Sequence, residues 1–490
     1  MDVLSDPAMV VDDSSTGAKE SVAAPQTMTD RAPVGALGDL RYRLVWRLHF
    51  WAGLLVSPLV VIATVTGLIY VFSPQIEAWR HASLDRVPVA EGTARVALEA
   101  QIDAARSTLP GVPVRSVFPA LAATDTTKVV MGEARRKPTP QAMPATSTGH
   151  ILHQSPAAET KIVSVNPYTG VVVGVIAEGD RFKEWSRKLH STLLQGESWR
   201  WLIELAASWT LVMLLTGLYL WWPKPQRVGG QGVRALIPRM GATGPRAARL
   251  KWRDWHAVVA IIASLLTFAI LLTGLTWSKY TGENFRAGLN ATGQSAPKAP
   301  EKLQSQRAFP EQSAWSTSQI QALGQSMIPS EALQLTPPRG ETGVWRISTA
   351  HPAAASARKQ LVVDQYSGQV LWQSGWNDLP LLAKATAVGI PFHRGEFGWW
   401  NQVLLVFVGM ALLFSVVSGY AMWWKRRPPK RVAAPAAGFE HWRALPWWIW
   451  PLGVALGYTM PVFGLSLALF LMIDAMALAL KRVSTSGGMT

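Results

Sequence analysis

The chain contains no cysteine. That absence excludes disulfides, thiolate-held metals, cysteine-ligated iron–sulfur clusters and covalent haem attachment through a Cys-x-x-Cys-His motif. There is also no Gly-x-Gly-x-x-Gly followed by an acidic residue in a βαβ setting, so no nicotinamide or flavin domain is indicated. Charge is scarce, at 16% of 490 residues, and of uneven sign: 47 Lys and Arg stand against 31 Asp and Glu, a net +16. The excess does not have the distribution of a nucleic-acid footprint. Lys224, Arg227, Arg234, Arg239, Arg246, Arg249, Lys251 and Arg253 all fall in 223–254 beside a single acid, Asp254, which is the positive-inside pattern of a loop between membrane spans.

What is abundant points the same way. An apolar share of 49% and 24 Trp place the chain among polytopic membrane proteins that work in a lipid bilayer, with helices for the spans and no nucleic-acid partner. From Leu48 to Phe72 no residue is charged, and at about 1.5 Å per residue that run crosses a hydrocarbon core of about 30 Å. It is too long for a signal-peptide core and is read as an uncleaved anchor whose N-terminus is cytoplasmic. The expected organisation is a disordered tail at 1–40, span 1 at 41–72, a periplasmic domain at 73–198, span 2 at 199–222 and a basic loop at 223–254. Span 3 at 255–277, a second periplasmic domain at 278–398, span 4 at 399–424 and a basic loop at 425–444 follow. Two short spans at 445–482, broken near Pro461, and a cytoplasmic tail at 483–490 complete about six spans.

The two halves look alike. Each has basic and Trp residues, a His, an apolar run with Thr-Gly-Leu, a β-rich polar stretch, a second His and a span ending in Trp-Trp and basic residues. The turns at 166–170 (Asn-Pro-Tyr-Thr-Gly) and 364–368 (Asp-Gln-Tyr-Ser-Gly) are hairpin signals in equivalent places. Residues 124–155, rich in Pro, Ala and Thr, are expected to be a loop without fixed structure. A parallel repeat of this kind implies a pseudo-two-fold axis along the membrane normal.

Four histidines occupy matched positions. His49 and His256 are 207 residues apart at the start of spans 1 and 3, and His190 and His393 are 203 apart just before spans 2 and 4. A lone interfacial histidine is ordinarily a hydrogen-bonded structural residue. Four in register favour ligation, because neutral imidazole binds haem iron and equivalent residues can meet across a two-fold axis. His49 with His256, and His190 with His393, would each hold one b-type haem, one near each face.

The remaining chemistry-bearing residues are weaker candidates. His81, His150, His153, His351 and His441 have no repeat partner and are assigned to the surface; His150 and His153 would make at most a weak metal site. Glu204 and Asp474 are ionisable groups inside apolar runs. Glu204 is expected to reach back to the interface, and Asp474 to pair with a basic residue or relay protons. Gly53, Gly67, Gly217, Gly274 and Gly419 could admit a porphyrin face or serve helix packing. Met213 and Met422 are expected to pack rather than ligate.

These residues resemble the PepSY-associated transmembrane family. The matching marks are His49-x-Trp51-x-Gly53, Trp185-x-x-x-Leu189-His190, Trp252-x-x-Trp255-His256, Pro391-x-His393-x-Gly395, Gly419-Tyr420 before Trp423-Trp424-Lys425-Arg426, and the 364–368 turn. The resemblance covers about 41–482. It implies an α-helical bacterial inner-membrane protein with two α+β PepSY-like periplasmic domains and b-type haem on the membrane histidines. It also implies reduction of a periplasmic ferric siderophore from Fe(III) to Fe(II), which weakens hard-oxygen chelation and releases iron. With no nucleotide domain, electrons would come from a quinol or a cytoplasmic donor. The competing expectations are a PepSY-type binding or regulatory scaffold without redox activity, and transport, which the scarcity of polar residues in the spans disfavours.

Overall fold

The computed structural model describes residues 34–89, 92–132, 160–222, 237, 244–350, 352, 354–427, 432, 434–435 and 438–486. The first helix, α1 (Val34–Val71), starts inside the stretch expected to be tail, because 34–40 continue the helix without a break. Pro58 lies within it. A proline lacks the N–H that would bond the carbonyl four residues back. That carbonyl, Leu54 O, instead accepts from the Tyr420 hydroxyl at 3.0 Å, so the gap is closed by a neighbouring helix.

After α2 (Ser73–Arg80) and α3 (Ala82–Asp85), helix α4 (Leu98–Thr108) leads into four strands, β1 (Val114–Phe118), β2 (Thr127–Met131), β3 (Lys161–Val165) and β4 (Val172–Ala177). Strand β2 corrects the expectation of an unstructured 124–155: the run Thr127–Met131 is β-branched and apolar enough to pair with both β1 and β3. The rest of that loop lies outside the described residues. Helices α5 (Phe182–Thr192), α6 (Trp201–Trp221), α7 (Pro245–Leu275) and α8 (Tyr280–Ala291) follow. Helix α7 begins ten residues before the expected span, so Arg249, Lys251 and Arg253 stand on its first turns rather than in a loop.

Helix α9 (Thr317–Met327) then precedes β5 (Leu333–Thr336), β6 (Val344–Thr349), β7 (Lys359–Asp364) and β8 (Val370–Gly375). The two polar segments, expected as separate domains, share a single antiparallel sheet of eight strands in the order β4-β3-β2-β1-β5-β6-β7-β8. The junction is the pairing of Val117 with Leu335. It is sealed by helices α4 and α9, whose Ile102, Ala105 and Ile320 bury against Val129, Val163, Ile347 and Val363 in one core. Each fully buried side chain there contributes about 1.5–3 kcal/mol. Glu99 of α4 caps α9, accepting from Ser318 N at 2.7 Å and Ser318 Oγ at 2.6 Å.

Helices α10 (Leu381–His393) and α11 (Trp399–Arg426) are followed by α12 (Phe439–Arg443), α13 (Ile449–Thr459) and α14 (Pro461–Ser486). The break at Pro461 is where the sequence places it, but the halves are unequal. Among the described residues five helices are long and apolar enough to cross a membrane: α1, α6, α7, α11 and α14. With 11 residues α13 is about 16 Å long, well short of a 30 Å core. Asp474 of α14 pairs with Arg47 and accepts from Trp442 Nε1 at 3.1 Å, which ties α14 to α1.

Candidate functional site

Helices α1, α6, α7 and α11 enclose two cavities stacked along the bundle. The larger, about 1300 Å³, is lined by His49 and His256 and rimmed by Arg249, Arg253 and Arg426. The smaller, about 210 Å³, is lined by His190 and His393, with Arg187, Arg200, Lys279 and Arg394 around it. Val60, Thr210 and Leu412 line both, so the cavities adjoin. Ligand sites of drug-sized molecules span roughly 300–1,000 Å³. The first cavity exceeds that range and the second falls below it.

The structure brings the four matched histidines together two by two. The His49 and His256 ring centres lie 6.5 Å apart with the planes at 88°. A metal–imidazole bond is about 2.0–2.1 Å, so two of them plus the nitrogen-to-centre distances come to roughly 6–6.5 Å. The spacing therefore fits one metal atom between two imidazoles. His190 and His393 face a common cavity, and the Trp277 ring stands edge-on to His393 at 5.9 Å. Burial, and then the neighbouring His393, lowers the His190 imidazole to about 4, and burial likewise depresses His393. Both are neutral at pH 7, the form that binds metal.

Each histidine is seated on a helix other than its own, three of them on a hydroxyl and His393 on a backbone carbonyl. His49 Nδ1 lies 2.9 Å from Thr216 Oγ1, His256 Nδ1 is 2.8 Å from Ser418 Oγ, and His190 Nδ1 is 3.1 Å from Thr66 Oγ1. His393 Nδ1 is 2.9 Å from the Ile270 carbonyl and 3.4 Å from Thr273 Oγ1. The next residue is glycine every time. A Cβ on Gly217 or Gly67 would stand 3.3 Å from the His49 or His190 Cε1, one on Gly274 only 2.8 Å from His393 Cε1, and one on Gly419 4.0 Å from His256 Cε1. Three of the five flagged glycines, Gly67, Gly217 and Gly274, thus make room for an imidazole, and Gly419 is in ordinary contact with one. The fifth, Gly53, faces the Met213 sulfur at an ordinary 3.9 Å.

Sequence reasoning missed the hydroxyls, although their signal is plain: a Thr-Gly or Ser-Gly pair occurs once in each of α1, α6, α7 and α11. Among the described residues, Nε2 of the four histidines has no hydrogen-bond partner and no group of three or more His, Asp or Glu is gathered as a bare cation would need. Two imidazoles per cavity is the donor set for a planar macrocycle that supplies the remaining ligands itself. Of the cations around the cavities, Arg187, Arg200, Arg253 and Arg394 already pair with Glu184, Glu197, Asp254 and Glu396.

Other candidates resolve differently. Glu204 does not reach back to an interface. It is 1% exposed and accepts from Tyr280 N at 3.0 Å, Thr281 N at 2.9 Å and Thr281 Oγ1 at 2.5 Å, capping α8. Asp474 pairs with a basic residue, as one expectation had it, but with Arg47, 427 residues away in sequence. His81 and His441 are each only 6% exposed, not surface residues. His150, His153 and His351 lie outside the described residues. Met213 and Met422 line the first cavity without replacing its histidines.

A family model described as PepSY-associated TM region matches residues 46–426, which takes in most of α1, α2 to α11 and all four histidines. A search among curated proteins found no match.

Proposed function

Because the chain belongs to the PepSY-associated transmembrane family, we propose that it is an inner-membrane electron-transfer protein that holds two b-type haems and reduces ferric siderophore on its sheet side. The observation that carries this reading is the His49–His256 pair, 6.5 Å apart across a cavity wide enough for a macrocycle. The His190–His393 pair in the adjoining cavity would supply the second site, where the cavity of about 210 Å³ must widen to take a macrocycle. A haem bound at each pair would supply one-electron acceptance and release at iron.

The protein's own residues do the rest. Largely apolar side chains line both sites, and the histidines would hold the iron. Thr66 lies 17 residues after His49, and Thr273 17 after His256, so the two tiers are about 25 Å apart along α1 and α7. The shared lining of Val60, Thr210 and Leu412 leaves only side chains between the cavities.

In this reading the basic ends of the spans are cytoplasmic and the sheet, built from two PepSY-like modules of a duplicated unit, is periplasmic. A quinol or a cytoplasmic donor supplies electrons at the first tier, and the ferric chelate takes them at the second. The test is purification in detergent, oxidised and dithionite-reduced spectra, and pyridine haemochrome quantitation. About two b-haems per chain are expected, together with oxidation of the reduced protein by a ferric chelate. A colourless folded protein from haem-replete cells would overturn this assignment in favour of a binding scaffold.

A further inference from the structure

On the haem reading above, we propose that the hydroxyls of Thr216, Ser418 and Thr66 are positioning residues. They fix His49, His256 and His190 in the Nδ1–H tautomer before any metal arrives, leaving Nε2 bare as the ligating atom. The argument lies in where each hydroxyl proton goes. Thr216 Oγ1 donates to Val212 O, Ser418 Oγ to Phe414 O and Thr66 Oγ1 to Ile62 O, each at 2.7 Å within its own helix.

With its proton committed to a carbonyl, each oxygen faces the imidazole as an acceptor only. The nitrogen opposite, at 2.8–3.1 Å, must therefore be the donor. A neutral imidazole carries one N–H, so its other nitrogen is a lone pair. The opposite tautomer would set two lone pairs against each other or take the hydroxyl out of its helix bond. At His49 and His190 the glycine after the hydroxyl, Gly217 or Gly67, is what lets the ring come this close.

His393 is the internal control. Its Nδ1 is nearer the Ile270 carbonyl, at 2.9 Å, than Thr273 Oγ1, at 3.4 Å. A carbonyl can only accept, so the same tautomer is fixed there by the backbone. Thr273 is dispensable for it.

The test uses the full-length chain made with ¹⁵N-labelled histidine, with and without haem. In the haem-free protein the ring nitrogens are expected to report protonated Nδ1 at all four histidines. Thr216→Val, Ser418→Val and Thr66→Val should each mix the tautomers of the facing histidine and weaken haem retention there by about 10-fold or more. The Ser variants of the two threonines should restore both readouts, and Thr273→Val should leave both unchanged. Protonated Nε2 at His49 in the haem-free wild type would overturn the proposal. Unaltered tautomers and retention in all three Val variants would do the same. A wild type with the stated tautomers that takes up no haem defeats the haem reading alone and leaves this inference standing.

Discussion

Replacing Gly274 with alanine puts the seating of His393 to a steric test. The added Cβ would stand 2.8 Å from His393 Cε1, 3.4 Å from Nδ1 and 3.6 Å from Nε2, so one whole edge of the ring meets it. Carbon atoms in contact sit about 3.5–4.0 Å apart, so the ring must retreat by about 0.7–1.2 Å. A ligand displaced by that much misses its metal, and overpacking of this kind costs about 1–3 kcal/mol. The helix itself is not weakened, since alanine is the better helix former by about 1 kcal/mol. Gly419→Ala is the matched control, with its Cβ at an unstrained 4.0 Å from His256 Cε1. Haem per chain, measured by pyridine haemochrome on purified protein, should fall from about two to about one in Gly274→Ala and stay near two in Gly419→Ala. Gly217→Ala and Gly67→Ala, at 3.3 Å, belong between them. Two haems with unchanged spectra in Gly274→Ala, or equal loss in Gly419→Ala, would refute the reasoning.

Other consequences concern the frame around the sites. Glu204→Ala removes the acceptor for Tyr280 N and Thr281 N and should cost about 1–2 kcal/mol, read as a lowered thermal midpoint; an unchanged midpoint counts against the cap. Arg47→Ala leaves the 4%-exposed Asp474 uncompensated and should cost about 3–5 kcal/mol, while the Arg47→Met, Asp474→Leu double variant recovers most of it; a double variant as unstable as the single one would contradict this. Acid should act through the buried histidines and through the carboxylates of the sheet side. Burial alone would raise Asp85, but the hydrogen bond from Arg181 and the charge of Lys128 outweigh it and hold the group below its ordinary 3.8. Asp364 is held down in the same manner, against burial, by the backbone N–H groups of Ser367, Gln306 and Tyr366. A carboxylate with a depressed folded value stabilises fully above its unfolded value and ceases to as pH falls through the folded one. Two stages of loss are therefore expected as pH falls: the buried neutral His190 and His393, held below their ordinary 6.5, destabilise the fold from about pH 6.5 downward, and the carboxylates add a steeper drop below about pH 5; a midpoint that stays flat down to about pH 4 would contradict the burial of the histidines.

What could be read in the sequence is what local chemistry dictates. The turns at 166–170 and 364–368 were legible because Asn166 and Asp364 accept from the N–H two residues on, and Gly170 and Gly368 supply φ of 70° and 67°. Five spans were legible from their uncharged runs, and the pairing of histidines from nearly equal offsets of 207 and 203 residues. The union of the polar segments in one sheet was not, since Val117 and Leu335 are 218 residues apart and nothing in either strand names the other. The same holds for Glu204 and Asp474. Each looks like a stray charge in an apolar run until α8 or Arg47 is brought against it. The hydroxyls that hold the histidines were hidden for a different reason: Thr-Gly in a span reads as helix packing, and only the partner helix shows what enters the gap.

The two tiers also differ in what holds them. His49 and His256 belong to α1 and α7, long helices whose positions are set by the bundle itself. His190 and His393 belong to α5 and α10, short helices that follow the two outermost strands, β4 and β8. Arg181, at the start of α5, grips Asp85 and Glu77 beneath the sheet, and Glu396, just past α10, is bound by Lys183 of α5 at 3.3 Å. The sheet is therefore the frame of the second tier as well as the surface above it. A ligand pressing on the sheet would reach the inner bundle through α5 and α10, the two helices that carry the histidines nearest to it, as well as through α2, α3 and α8.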